Sequence, residues 1–532
     1  MTTKRKGSSA EVFGSTYEER IVLDMKKTSK FLLTMAFSLI LVVFGKLYIE
    51  ILYEFFTHQS VLSLVKRLVC LVISIVLLTG IYILIRRFED LIKRFEWFIL
   101  LVFVIFMFVV QMILGQELRY IPTYDLFSVF DGATQWLVEG SFYRHYEYFY
   151  YYPNNLGELS FLAFFFGISA KLGNNDFFLV GMLVNALLSA ILISSTFVVC
   201  RKIFSTSEAI FSLALYAACP PFYLMIPVFY TDQLTMAFPV LVVMLFLFYE
   251  EAEYGFLKNE AWAFLITIIA FIGYYLKPTV FIAMIAIFIT LLLKGKWKKF
   301  LLLLANTLVI FISLTIASNS YFYSHHLDKE IARKQNTPIE VWIYMGLNEE
   351  FGYSFEDTLF ARGIEDPEER KEIIREKIME RIKDYGVVGM YHHLKNKIIP
   401  VYSDGTFELS YTYIQGFVKD TPWKDILTQM GSKYGLFWNV CAYHWYSLQF
   451  FALIAYFLLC KKLFGKKAKD VNMGQIYQVF PVAVSLLGLF LFLLIWEVHY
   501  RYIVNYYGFC LIMAVCGLHY LLKPYYIKKS SY

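Results

Sequence analysis

Runs of about 20 mostly apolar residues alternate along this chain with short polar stretches, and a run of that length is what an α-helix needs to cross a bilayer. The runs occupy 31–53, 68–86, 97–115, 177–200, 209–230, 234–250, 260–276, 279–294, 299–318, 445–461, 476–496 and 503–522. They predict an all-α polytopic membrane protein with about 12 crossings.

One further apolar stretch, 156–170 (LGELSFLAFFFGISA), must be read together with the charges. Cytoplasmic loops carry the Lys and Arg excess. Arg86, Arg87, Lys93 and Arg94 follow the second run, Arg201 and Lys202 the fourth, and Lys294, Lys296, Lys298 and Lys299 the eighth. Lys461, Lys462, Lys466, Lys467 and Lys469 follow the tenth, and Lys523, Lys528 and Lys529 close the chain. All fall on one side if both termini are cytoplasmic and 156–170 does not cross. That stretch is therefore expected to be an outer-face helix lying in the interface, its aromatic residues in the headgroup layer.

This topology divides the chain into a cytoplasmic tail 1–29, membrane helices 30–115, a first outer loop 116–176 and a membrane core 177–318. An extracellular domain 319–443, C-terminal membrane helices 444–522 and a second cytoplasmic tail 523–532 follow. The first tail begins MTTKRK and lacks the cleavage pattern of a signal peptide, so it is expected to be retained. Region 319–443 is long enough for a small, mainly helical domain. Within it, 366–384 predicts a helix, with Pro367 near its start and Ile373, Ile374, Ile378 and Ile382 at helical spacing.

Composition agrees with a lipid environment. The 532 residues are 58% hydrophobic, 19% aromatic and 17% charged, with a mean hydropathy of +0.55. Soluble domains run about 45–50% apolar and about 25% charged. The net charge of +6 comes from Lys and Arg beside apolar runs, so it sets membrane orientation and does not point to nucleic acid. The seven cysteines form no CxxC pair, which leaves neither a zinc site nor a disulfide framework.

Candidate chemistry gathers at the predicted outer face. The first outer loop holds Tyr124-Asp125-Leu126-Phe127-Ser128-Val129-Phe130-Asp131 and runs on to Glu139-Gly140. A carboxylate there can face a groove between spans, where a general base must stand if the reactive head of a substrate hangs from a lipid. A plain helix N-cap competes with that role for Asp125. Next come the tyrosines 150–152, read alone as interfacial anchors, and the turn Pro153-Asn154-Asn155-Leu156-Gly157, whose two amides are candidate substrate contacts. The fifth run is broken by Pro220, Pro221 and Pro227 and ends Phe229-Tyr230-Thr231-Asp232-Gln233. Proline-broken helices near a membrane face often line a cavity, although Asp232 also suits a cap. Lys277 lies at an outer turn, and the last outer turn reads Glu497-Val498-His499-Tyr500-Arg501-Tyr502. Cations at these turns suit a lipid phosphate, Arg above all because its planar fork grips phosphate oxygens bidentately. Snorkelling to headgroups is the competing role, for Lys277 more than for Arg501. No Walker loop, Rossmann fingerprint, HExxH or GxSxG motif occurs, so an activated sugar would have to arrive already on a lipid.

In their order, these motifs resemble the GT-C superfamily of membrane glycosyltransferases, nearest to protein O-mannosyltransferases and bacterial aminoarabinose transferases. Asp125 through Gly140 matches the family's acidic motif and the helix after it. Pro153 through Phe166-Gly167 matches its proline-led interfacial helix, Asp232 its later acid, and Glu497, Arg501 and Tyr502 its final E-x-x-x-R-Y turn. The outer region resembles a Gram-positive bacterial set of such proteins through Trp342-Ile343-Tyr344-Met345-Gly346-Leu347, Gly352-Tyr353, Lys395 to Lys397 and Asp404-Gly405-Thr406-Phe407. Many members carry Asp-Glu at the catalytic position. Here Leu126 follows Asp125, which leaves a divalent metal open as cofactor.

The resemblance implies a GT-C-like bundle acting as an inverting glycosyltransferase in the cell membrane, its active site extracellular. It would move sugar from a polyprenyl phosphate to a cell-envelope acceptor: wall polysaccharide, teichoic acid or protein. Asp125 is the expected base, Asp131 the reserve base and Asp232 an orienting or metal-binding acid. Arg501, Lys277 and His499 are expected at the donor phosphate, and Asn154, Asn155, Tyr230, Glu497 and Tyr502 at the substrate. Two other classes compete. A polysaccharide polymerase or ligase would rely more on Arg and His of the outer loops. A transporter or flippase would need polar groups near the bilayer midplane.

Overall fold

In lipid every backbone N–H and C=O needs a partner from the protein itself, which a helix supplies within one segment. The computed structural model describes residues 9–529 except 58–60, 252–254, 414–415 and 466–471, with side chains from 27 to 523. Residues 1–8 and 530–532 of the two expected tails, and Lys466, Lys467 and Lys469, lie outside the described residues, as do the side chains of Lys528 and Lys529.

The chain opens with α1 (Ser9–Phe56), α2 (Val61–Arg87) and α3 (Glu89–Glu117). Then come α4 (Tyr124–Glu139), α5 (Tyr146–Tyr151), α6 (Leu156–Lys171), α7 (Phe177–Ile203), α8 (Thr206–Ala217), α9 (Pro220–Leu224) and α10 (Thr231–Leu234). The middle comprises α11 (Ala237–Glu251), α12 (Phe256–Leu276), α13 (Phe281–Leu293) and α14 (Trp297–His325). Short helices α15 (Lys329–Gln335), α16 (Ile339–Met345) and α17 (Phe355–Arg362) lead to the long α18 (Pro367–Ser403). The chain closes with α19 (Leu409–Thr412), α20 (Lys424–Leu427), α21 (Tyr434–Phe464), α22 (Met473–Ile495) and α23 (Tyr507–Lys529). Among the described residues there is no strand, only an isolated bridge between Tyr120 and Phe417.

Among the described residues, ten helical segments are long and apolar enough to cross a membrane. Two expected spans are built differently. Region 209–230 is split into α8 and α9 at Cys219-Pro220-Pro221, because each proline removes an N–H donor and clashes with the preceding turn. Region 279–294 forms a shorter apolar helix, Pro278–Leu293. Helix α6 has 16 residues and packs on α4 and α7.

Ion pairs mark the two ends of the bundle. The segment Thr231–Glu251 carries Asp232 at one end and Glu250 at the other. Asp232 pairs with Lys277, and Glu250 with Lys294 at 2.6 Å and with Lys296. At about 1.5 Å per residue this segment spans about 30 Å, the thickness of a hydrocarbon core. The Glu250 end also holds Arg201 paired with Glu96, Lys202 with Glu251, and a buried Glu208 that accepts from Tyr82 at 2.6 Å and meets His519 at 2.7 Å. Between the ends, α2, α3 and α14 turn Val72, Val76, Ile105, Val109, Val309 and Ile312 outward, as a lipid-facing surface does, while α23 is buried at the centre.

Region 319–443 sits over the Asp232 end. Its own apolar cluster joins Val341, Tyr344, Met345, Ala361 and Ile374, with Ile378 against it, whereas Ile382 stays exposed. Helix α18 runs past the expected boundary because it kinks at Gly386 (φ 56°) and resumes. Near its end the buried Lys397 donates to the Gly346 carbonyl at 2.9 Å and to the Leu494 carbonyl at 3.2 Å, fastening this region to the membrane helices. Burial pushes its ammonium down to about 8, with the charge of Glu497 opposing the shift.

Candidate active site

Asp125 enters the site from a strained start. Tyr124 takes φ 52°, a left-handed conformation costly for a side chain of this size. Thr123 occupies the N-cap position, so Asp125 lies in the first turn of α4 with its carboxylate free of a capping role. Oδ1 accepts from the Tyr148 hydroxyl at 3.0 Å and Oδ2 from the Tyr230 hydroxyl at 3.2 Å. Burial, then the Asp125 charge, push both hydroxyls well above the ordinary tyrosine range, which keeps them donors. The Pro-Asn-Asn turn supports this arrangement from behind. Asn155 Nδ2 donates to the Tyr148 oxygen at 2.5 Å, and Asn154 Nδ2 to Asn155 Oδ1 at 2.9 Å.

The first turn of α6 brings Glu158 beside this carboxylate. It is fully buried, and neither oxygen has a hydrogen-bond partner among the described residues. Burial, and then the charge of Asp125, push its carboxyl well above the ordinary range, with Lys277 as the opposing charge. Gly157 makes the approach feasible, since a Cβ there would collide with the Tyr275 carbonyl oxygen. The start of α6 thereby meets the turn that carries Lys277.

A second group of charges lies behind Tyr230. Asp232 is fully buried; it pairs with Lys277 and accepts from Arg501 Nε at 3.1 Å. Lys277 also lies 4.3 Å from the Tyr502 ring centroid. Arg501 Nη1 donates to Glu408 Oε2 at 3.1 Å, and His499 Nδ1 meets Glu408 Oε1 at 3.1 Å. Its guanidinium carbon stands 5.8 Å from the Tyr230 ring and 5.7 Å from the Tyr502 ring. The Tyr502 hydroxyl donates to Glu497, whose other oxygen has no partner among the described residues. Glu408 reaches Arg501 from a bent loop in which Phe407 (φ 53°) and Glu408 (φ 62°) are both left-handed. Asp404 fixes that bend, accepting from Thr406 N at 2.9 Å and Glu408 N at 2.7 Å. Burial raises the Glu408 carboxyl, but the His499 hydrogen bond and the Arg501 charge outweigh it and hold it below its ordinary range.

The expected residues therefore divide. Asp125, Tyr230, Asp232, Lys277, Glu497, His499, Arg501 and Tyr502 share one end of the bundle, with Asn154 and Asn155 supporting from behind. Asp131 stands apart, paired with His145 at 2.7 Å. Six residues along a helix of 3.6 per turn put it on a different face from Asp125. Tyr148, Glu158 and Glu408 were not singled out from sequence. Glu158 had a signal, a lone acid in an apolar helix, and Glu408 directly follows the Asp404–Phe407 motif. No group of three or more His, Cys, Asp or Glu side chains converges as metal ligands among the described residues.

No curated protein matches the chain. A solved structure, the archaeal oligosaccharyltransferase AglB from Archaeoglobus fulgidus in complex with an inhibitory peptide and a dolichol-phosphate, aligns with a TM-score of 0.41 and 11% identity. The alignment covers 82% of this chain and 52% of that one, so the chain spans about half that protein's length. A family model described as "conserved hypothetical integral membrane protein" matches residues 24–520, and the chain belongs to that family.

Proposed function

We propose that the protein is an inverting glycosyltransferase that takes its sugar from a polyprenyl phosphate on the outer face of the membrane. One observation carries this reading. A carboxylate held by two hydroxyls and free of any cationic partner among the described residues, Asp125, shares Tyr230 with Arg501, a guanidinium at the same end of the bundle. Base and phosphate-binding cation are thus neighbours where a lipid-borne head group would lie. The outer assignment rests on charge, since Arg86, Arg201, Lys202, Lys294 and Lys296 gather at the opposite end.

In this mechanism the acceptor hydroxyl attacks the anomeric carbon and passes its proton to Asp125. The bond from that carbon to the phosphate oxygen breaks, and its electron pair leaves with the phosphate, so one displacement inverts the configuration. Tyr148 and Tyr230 orient the base. Arg501 and Lys277 meet the charge growing on the leaving phosphate, a fixed electrostatic arrangement of the kind that lowers such barriers. Asp232 holds both cations in place. With Nε and Nη1 engaged, Arg501 Nη2 is left for a phosphate oxygen.

The test is transfer from a panel of radiolabelled polyprenyl-phosphate sugars by the protein in proteoliposomes. Labelled product is expected with one of these donors, formed about 100- to 10,000-fold more slowly by the Asp125→Asn protein. Transport of the donor by wild type without any transfer would overturn the reading.

A further inference from the structure

Resting on that reading, we propose that the acceptor is an anionic glycan, one bearing phosphate or carboxylate groups, and that a cavity in region 319–443 holds it. The cavity measures about 480 Å³ and is lined by Tyr151, Lys334, Gln335, Arg362 and Arg370 together with Glu365 and Asp366. That volume falls within the usual range for small-ligand sites, about 300–1,000 Å³.

Its charges are set up for an anion. Arg362 lies flat on Tyr151, its guanidinium carbon 3.5 Å from the ring centroid, and Nη2 donates to the Tyr152 hydroxyl at 3.2 Å. Its Nε is buried without a partner, and so is Gln335 Oε1. Arg370 is buried and donates only to carbonyls, those of Ile364 and Asn336. Among the described residues none of Lys334, Arg362 and Arg370 forms an ion pair. One of the two acids is already used, because Asp366 caps α18 by accepting from Glu368 N at 2.9 Å and Glu369 N at 2.8 Å. Glu365 is exposed. A guanidinium stacked on an aromatic ring with an unmet N–H is a preformed receptor for a phosphate or carboxylate oxygen.

A chain of side-chain contacts joins the cavity lining to the base. Tyr152, which receives the Arg362 hydrogen bond, lies 5.2 Å from the Tyr148 ring, and Tyr148 donates to Asp125. From Tyr152 an aromatic wall continues through Trp342 at 5.8 Å to Trp496, stacked at 6.0 Å, the residue before Glu497. Aromatic faces suit the C–H faces of sugar rings. A chain anchored by its negative group on Arg362 and Lys334 would lie along this wall with a hydroxyl toward Asp125.

The test is binding by the full-length protein in lipid nanodiscs, read by thermophoresis of a fluorescent glycerol-phosphate hexamer. Maltohexaose, uncharged and also six units long, is the neutral arm, inorganic phosphate the small-anion arm, and nanodiscs with added undecaprenyl phosphate the lipid arm. The hexamer is expected to bind and maltohexaose not. Arg362→Gln and Lys334→Gln should each weaken the hexamer roughly ten- to a hundredfold, as loss of a hydrogen bond to a charged group does. Arg362→Lys should keep part of the affinity, which guards against misfolding as the cause. Binding is read without any sugar donor, so a failure of the transfer mechanism is read separately. Equal binding of maltohexaose, no binding of the hexamer, undiminished binding by the Gln variants, or displacement of the hexamer by undecaprenyl phosphate would each overturn the proposal.

Discussion

The Tyr230 hydroxyl donates to Asp125 Oδ2 at 3.2 Å, although 105 residues separate the two in sequence. The bond joins the first polar loop to the end of a proline-broken segment, and the ring of the same tyrosine faces Arg501. Tyr230 therefore sets the spacing between the proposed base and the proposed phosphate site.

Removing the base and removing its orienting hydroxyls should have different signatures. Asp125→Asn is expected to lower transfer by about 100- to 10,000-fold, the usual contribution of a general base. Tyr230→Phe and Tyr148→Phe each delete one hydrogen bond to a charged group, expected to cost roughly ten- to a hundredfold. Initial rates in proteoliposomes check the order. A Tyr230→Phe protein as slow as Asp125→Asn would mean that the tyrosine does more than orient.

Glu158 should make the fold sensitive to alkali. Its carboxyl is raised by burial and by Asp125, so the folded protein holds its proton more tightly than the unfolded chain. The stability it contributes is fully present below the ordinary carboxylate range and is lost as pH rises through the raised value. Glu158→Gln keeps the shape and cannot ionise. Its apparent melting temperature should match wild type near about pH 5 and exceed it near about pH 8. A constant difference across that range would show that Glu158 does not titrate there.

The helical membrane class was legible because about 20 apolar residues in a row have few other uses. The break at Cys219-Pro220-Pro221 was legible too, from proline chemistry. Asp125, Asp232, Lys277 and Arg501 could be nominated because charges at span ends are few. Their partners could not, since Tyr148 and Tyr230 are two of 41 tyrosines and pairing depends on how distant helices meet. Helix position was not legible in the same way for Asp131, the expected reserve base: helical rotation turns it to His145, on a different face from Asp125. Glu408 was hidden because its position comes from two left-handed residues in a loop, which no apolar period announces.

The Glu408 clamp should open in acid. Its carboxyl is held below the ordinary range by His499 and Arg501, so its contribution is present above that range and is lost as pH falls through the lowered value. Amides of 407–411 should then exchange faster below about pH 4. In Glu408→Gln the same amides should exchange fast at every pH, with no acid step. An acid step that survives the substitution would assign the titration to another group, Asp404 first.

Gly346 lets region 319–443 seat on the last turn of the site. Its backbone is ordinary helix (φ −63°, ψ −11°), so alanine is acceptable on conformation alone. Space is the obstacle: a Cβ there would lie 2.8 Å from the Trp496 carbonyl carbon and oxygen and 2.9 Å from Glu497 N. Those backbone atoms cannot swing aside as a side chain would, and the Gly346 carbonyl is also fastened by Lys397. Gly346→Ala should cost roughly 1–3 kcal/mol, typical of overpacking, and should slow transfer by displacing the turn that carries Arg501. Gly352→Ala is the graded control, because its Cβ would meet the Val498 carbonyl oxygen at 3.3 Å and the Glu350 carbonyl oxygen at 3.9 Å, a milder approach. Thermal shift and transfer rate together should rank wild type above Gly352→Ala and Gly352→Ala above Gly346→Ala. If Gly346→Ala behaved as wild type on both measures, region 319–443 would not be seated on this turn.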